Sequence, residues 1–202
     1  MPAARQLGLL VGGCVVLAVG VGMLLTADFG SDGYSTFVNG LAMSLDVSFW
    51  VVNLALGVVL VAMAAARGVR PGVGTVAQVV LVGVVISVLL DVWSTPDAVA
   101  ARVGLLVAAF PVLALGVAAY LGSQTGAGPT EAAALAWDPP VPFRWSYSLL
   151  QGGGALIGWL LGAAIGPGTL VVILLLGPAV DLVSRWLPIF DVHAGRGRAR
   201  DR

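Results

Sequence analysis

The chain has 202 residues, 59% of them hydrophobic and 10% charged, with ten basic residues balancing ten acidic ones. A soluble domain carries about a quarter charged residues, so this is a membrane-protein composition, and zero net charge excludes a bulk attraction to nucleic acid. A single cysteine, Cys14, excludes an intrachain disulfide, and a single histidine, His193, excludes a zinc site built from His and Cys.

A helix needs roughly 20 apolar residues to cross a bilayer. The first such run covers residues 7–26, and a Gly-rich loop follows at 29–36, "FGSDGYST". A short apolar stretch at 35–45 is too short to span. Runs at 49–66 and 73–90 come next, the second opening on the turn "GVGT". After a linker at 92–102 the pattern returns: a run at 103–121, a loop at 125–132 reading "TGAGPTEA", and a short stretch at 130–137. Runs at 146–165 and 168–187 complete it, the last opening on "GPGT", before a basic tail at 188–202.

The first run also reads as a cleaved signal peptide, since "VGGC" loosely resembles a lipoprotein cleavage site. The repeat argues against that. Residues 7–30 align without gaps on 103–126 with 11 identities in 24 positions, and a segment copied in mid-chain is architecture. The chain therefore reads as a tandem duplication: a cytoplasmic N-terminus at 1–6, a membrane repeat at 7–91, an external loop at 92–102, a second repeat at 103–187 and a cytoplasmic tail at 188–202. Three spans per half is odd, so the second copy enters the membrane inverted. The expected fold is an all-α polytopic membrane protein. It has six transmembrane helices as a 3+3 inverted repeat, with a re-entrant or interfacial short helix in each half. With the N-terminus in the cytoplasm, Arg5, Arg67, Arg70, Arg144, Arg185 and the tail lie inside and only Arg102 lies outside, as the positive-inside rule asks of a plasma-membrane protein.

The order of a Gly-rich loop with "GAGP", a polar residue soon after it, "GWLLG" at 158–162, then "GPGT" and an apolar span resembles the YczE/YyaS/YitT group of bacterial integral membrane proteins, over about residues 7–187. That group's loops read Gly-x-x-Pro-x-Asp. The second loop here keeps Pro129 and an acid, Glu131, whereas the first has Gly33 and Ser35 in those places. The resemblance implies a multi-spanning membrane fold and no particular chemistry.

The two loops are the candidate site: Gly30, Ser31, Asp32, Gly33 and Ser35 in the first, and Gly126, Gly128, Pro129, Thr130 and Glu131 in the second. A helix N-terminus after each presents unpaired N–H groups and the positive end of a dipole. Such a loop sits at membrane depth only when buried in protein or lining a cavity. The competing reading makes them ordinary interfacial turns capped by Ser35 and Thr130. Asn39, Asn53, Gln78, Ser148, Gln151 and Asp181 are candidate lining residues, or else interhelical glue. Asp181 also pairs with Arg185 at i,i+4 spacing. Glu131 either caps its helix or carries a cation or proton. Gly8 and Gly12, and Gly154, Gly158 and Gly162, form small-residue stripes that suit close packing within the bundle or a homodimer seam.

No Ser–His–Asp set, metal cluster or nucleotide loop is present, so no cofactor is expected; an enzyme is not expected either, although Glu131 and Asp181 leave an acid–base pair open. The lipid bilayer and a small solute are the expected partners, and nucleic acid is not. Two functions stand: a secondary transporter or channel for a small polar (zwitterionic or neutral) solute, and a non-catalytic scaffold or accessory subunit of another membrane system.

Overall fold

The structure, a computed structural model, describes residues 3–138 and 140–187, apart from the side chains of Phe143, Arg144, Asp181 and Ser184. The basic tail and His193 lie outside them. The described chain forms eight helices: α1 Ala4–Ala27, α2 Gly33–Leu45, α3 Phe49–Ala66, α4 Val73–Val92, α5 Val99–Gly122, α6 Pro129–Leu135, α7 Phe143–Leu160 and α8 Pro167–Trp186. Among the described residues there is no strand.

At 1.5 Å per residue, α1 and α5 are about 36 Å long, α4 about 30 Å and α3 about 27 Å. These four helices are long and apolar enough to cross a membrane. On the same rise α2 is about 20 Å and α6 about 10 Å, too short to span. The remaining two differ in character: α7 opens on the polar run "RWSYS", and α8 contributes a shorter apolar stretch, Pro167–Val180. The outer surface is apolar, with Val107 67%, Leu174 67% and Leu149 76% exposed. Water would penalise such a surface, while hydrocarbon accepts it. The chain is a multi-pass helical membrane protein.

Two aspartates punctuate the first connection. Asp28 ends α1 in the left-handed region at φ 56°, which Asp tolerates better than most residues. Asp32 then starts α2 by accepting the Ser35 N–H at 2.9 Å.

The equivalent helices α1 and α5 pack against each other and run antiparallel. Gly13 of α1 lies on the Tyr120 backbone of α5, Gly20 lies on Leu113, and Gly116 of α5 lies on Leu17 of α1. Position rises along one helix as it falls along the other. A Cβ at Gly20 would stand 2.8 Å from the Leu113 nitrogen, so these glycines set the interaxial distance. Around this pair Leu17, Val21, Leu24, Ile86, Ala109 and Leu113 form one buried core.

The short helices cross over between the halves. α2 packs on α7, and α6 packs on α3. Gly154 and Gly158 of α7 lie against the Gly33 and Thr36 carbonyls of α2, while Gly8 and Gly12 have no neighbour within 4 Å at their Cβ positions. The stripe on α7 is therefore used inside the chain.

The repeated Gly-x-Gly-Thr turns dock reciprocally. The Gly74 N–H donates to the Thr125 carbonyl at 2.9 Å, and the Gly168 N–H donates to the Phe29 carbonyl at 2.9 Å. Each turn is thus held by the Gly-rich loop of the other half. Gly30 and Gly126 are required there twice over. They adopt φ 90° and 138°, and a Cβ on either would strike the threonine hydroxyl of the opposite turn.

Candidate functional site

A cavity of about 100 Å³ lies between the two loops, room for roughly three waters at ~30 Å³ each. Its polar wall holds Asp32, Tyr34 and Ser35 from the first loop and α2, and Thr130 and Glu131 from the second loop and α6. Asn53 of α3, Gln78 of α4, Tyr120 of α5, and Tyr147 and Gln151 of α7 complete it. The opposite wall is apolar and includes Leu17, Val21, Phe49, Ile86 and Leu113. The chain has three tyrosines and one glutamate, and all four line this space. In so apolar a chain, that concentration of polar side chains at one point is the main feature of the site.

A hydrogen-bond chain fixes the wall. The Tyr34 hydroxyl donates to Asn53 Oδ1 at 3.1 Å, and Asn53 Nδ2 donates to the Val79 carbonyl at 2.7 Å. The Tyr34 N–H, a first-turn donor of α2, donates to Gln151 Oε1 at 2.9 Å. Gln151 Nε2 donates in turn to the Tyr147 hydroxyl at 3.1 Å. Thus α7, from the second half, closes the N-terminus of α2, from the first. In the second loop the Tyr120 hydroxyl donates to the Gly126 carbonyl at 3.1 Å. The Thr130 hydroxyl donates to Glu131 Oε2 at 3.0 Å.

Glu131 lies in α6, outside the spanning helices, and lines the cavity. Burial raises its carboxyl above the ordinary carboxylate range. Its own backbone N–H and the Thr130 hydroxyl relieve part of that, and Asp32 adds to it. A Cβ on Gly128 would fall on both Gln78 Oε1 and Glu131 Oε2, so this glycine keeps open the place where two acceptors converge. Gln78 Oε1 is buried and has no hydrogen-bond partner among the described residues.

Of the residues singled out in the sequence, Asp32, Ser35, Asn53, Gln78, Pro129, Thr130, Glu131 and Gln151 line the cavity. Gly128 lies against the Gln78 and Glu131 side-chain oxygens and Gly33 brings α2 onto the Gln151 backbone, whereas Gly30 and Gly126 lie against the opposite turns and not among the lining residues. Ser31 is fully buried and braces Asp32 Oδ1 at 3.3 Å. Two residues do not join them. Ser148 is exposed: Tyr147 and Gln151, four apart, share the inward face of α7, and one residue further turns the chain by about 100°. Asn39 is a full turn beyond the cavity and donates to Met43 Sδ at 3.6 Å. The Asp181 side chain lies outside the described residues. The three tyrosines were missed, although Tyr34 sits within the first loop and Tyr120 just before the second; their scarcity was the available signal.

Among the described residues no group of three His, Cys, Asp or Glu side chains gathers to hold a metal ion. The arrangement suits the binding of a small polar group: a pocket walled by hydroxyls, amides and two carboxyls. No curated protein and no solved structure matches the chain. Residues 4–185 match the model of a family of unknown function (DUF6198), and the chain belongs to that family.

Proposed function

We propose that the chain is a secondary transporter or channel for a small polar solute, which sits between the two Gly-rich loops. The observation that carries this reading is the cavity itself, built from polar residues of both halves at the ends of two helices too short to span. Antiparallel packing of α1 on α5 and the reciprocal docking of the turns support a six-span, 3+3 inverted repeat, with its axis in the membrane plane. Transporters built this way place the substrate at the repeat interface, between broken helices. Arginine placement supports cytoplasmic termini in the plasma membrane, and the loop and turn motifs support kinship with the YczE/YyaS/YitT group. Purified protein in liposomes, screened for flux of small zwitterionic, neutral and charged metabolites, tests the proposal. Glu131→Gln and Gly128→Leu should abolish any flux found. Unchanged flux would move the site elsewhere, and no flux of any solute through folded protein would favour the scaffold reading.

A further inference from the structure

Helix N-termini ordinarily invite anions, yet here several first-turn donors are already engaged or missing. In α2 the Ser35 N–H goes to Asp32 and the Tyr34 N–H to Gln151. The other short helix begins with Pro129, which has no N–H to offer. The cavity wall then adds the carboxyls of Asp32 and Glu131, and among the described residues no arginine lines it. Arg67 and Arg102 are engaged elsewhere, over the Trp137 and Phe29 rings. Acceptors dominate what remains, including the buried, unpartnered Gln78 Oε1. Tyr34, Tyr120 and Tyr147 stand around the same space, and aromatic faces attract cations.

We infer that this cavity binds a compact organic monocation of the guanidinium or alkylammonium type. Asp32, Glu131 and Gln78 Oε1 receive its N–H groups, and the tyrosines surround its apolar face. The inference rests on the cavity being the solute site and narrows the solute to positive charge. Asp32 and Glu131 both line the space, and among the described residues no basic side chain lines it with them, so a bound cation supplies the charge complement.

The test is calorimetric titration of the purified full chain in detergent with guanidinium, with tetramethylammonium, with urea as the neutral shape match of guanidinium, and with acetate. Binding of either cation, with urea and acetate inert, is expected. Glu131→Gln and Asp32→Asn should each weaken that binding at least about tenfold; Asn at position 32 keeps the helix cap. Equal binding of urea or acetate, binding of neither cation, or full cation affinity in both variants would overturn the inference. The charge comparison on the unaltered protein decides the matter even if a variant misfolds. Cation binding without flux in liposomes would sink transport and leave this site standing. Flux of a neutral solute with no cation binding would do the reverse.

Discussion

Thr75 and Thr169 hold the same place in the two Gly-x-Gly-Thr turns, and both are buried, at 1% and 7% exposure. Replacing each with valine keeps the shape and removes the hydroxyl. The Thr75 hydroxyl donates to the Ala127 carbonyl at 2.6 Å and accepts from the Gly72 N–H at 3.2 Å. Thr75→Val therefore leaves two part-buried main-chain groups unpaired. Each such group costs about 1–3 kcal/mol in a protein interior, and measured hydrogen bonds within membrane proteins average nearer 0.6 kcal/mol. For the two groups together a total of roughly 1–6 kcal/mol follows, and each kcal/mol lowers Tm by about 2–4 °C in a chain of this size. The Thr169 hydroxyl has no partner among the described residues, so Thr169→Val removes a desolvated group and should leave Tm unchanged or raise it. Thermal melts of both variants in one detergent, followed by tryptophan fluorescence, give the comparison. Equal losses, or a larger loss in Thr169→Val, would refute the claim that the two turns are held differently.

Gly116→Ala places a methyl group on the α1 backbone and should cost about 1–3 kcal/mol or prevent folding. Gly104→Ala in the same helix meets nothing within 4 Å and should be neutral; size-exclusion profiles and melts separate the two. Cys14 is buried, so introduced cysteines report topology cleanly. With a membrane-impermeant maleimide on intact cells, Ser94→Cys should label and Val69→Cys should not; the opposite pattern would invert the arrangement. The cation site also predicts a pH profile. Burial raises the Glu131 carboxyl above its ordinary value, so the charged form that a cation needs prevails above that raised pKa and is lost as pH falls through it. Asp32, Tyr34, Tyr120 and Tyr147 are the other titratable groups facing the cavity. Cation affinity should fall on acidification in the native protein and begin to fall only at lower pH in Glu131→Gln, where Asp32 is the remaining carboxyl, as titrations across pH would show.

By itself the sequence determined the helices and the membrane class, because apolar run length is a local property. Four of its six long runs lie in helices that are apolar enough to cross a membrane, and both short stretches are short helices. It also marked both Gly-rich loops and most of the polar lining. What it did not hold was which side chains meet. Tyr147 and not Ser148 faces the cavity because of the rotation of α7 about its axis, and that is set by Gly154 and Gly158 packing on α2. The function of the repeated turn was equally illegible: each is satisfied by a loop in the other half, about fifty residues away for Gly74 and far more for Gly168. Identical motifs at Thr75 and Thr169 end with one hydroxyl bonded and the other without a partner among the described residues. Hydrogen bonds depend on fractions of an ångström between segments distant in the chain, and only the folded arrangement decides those.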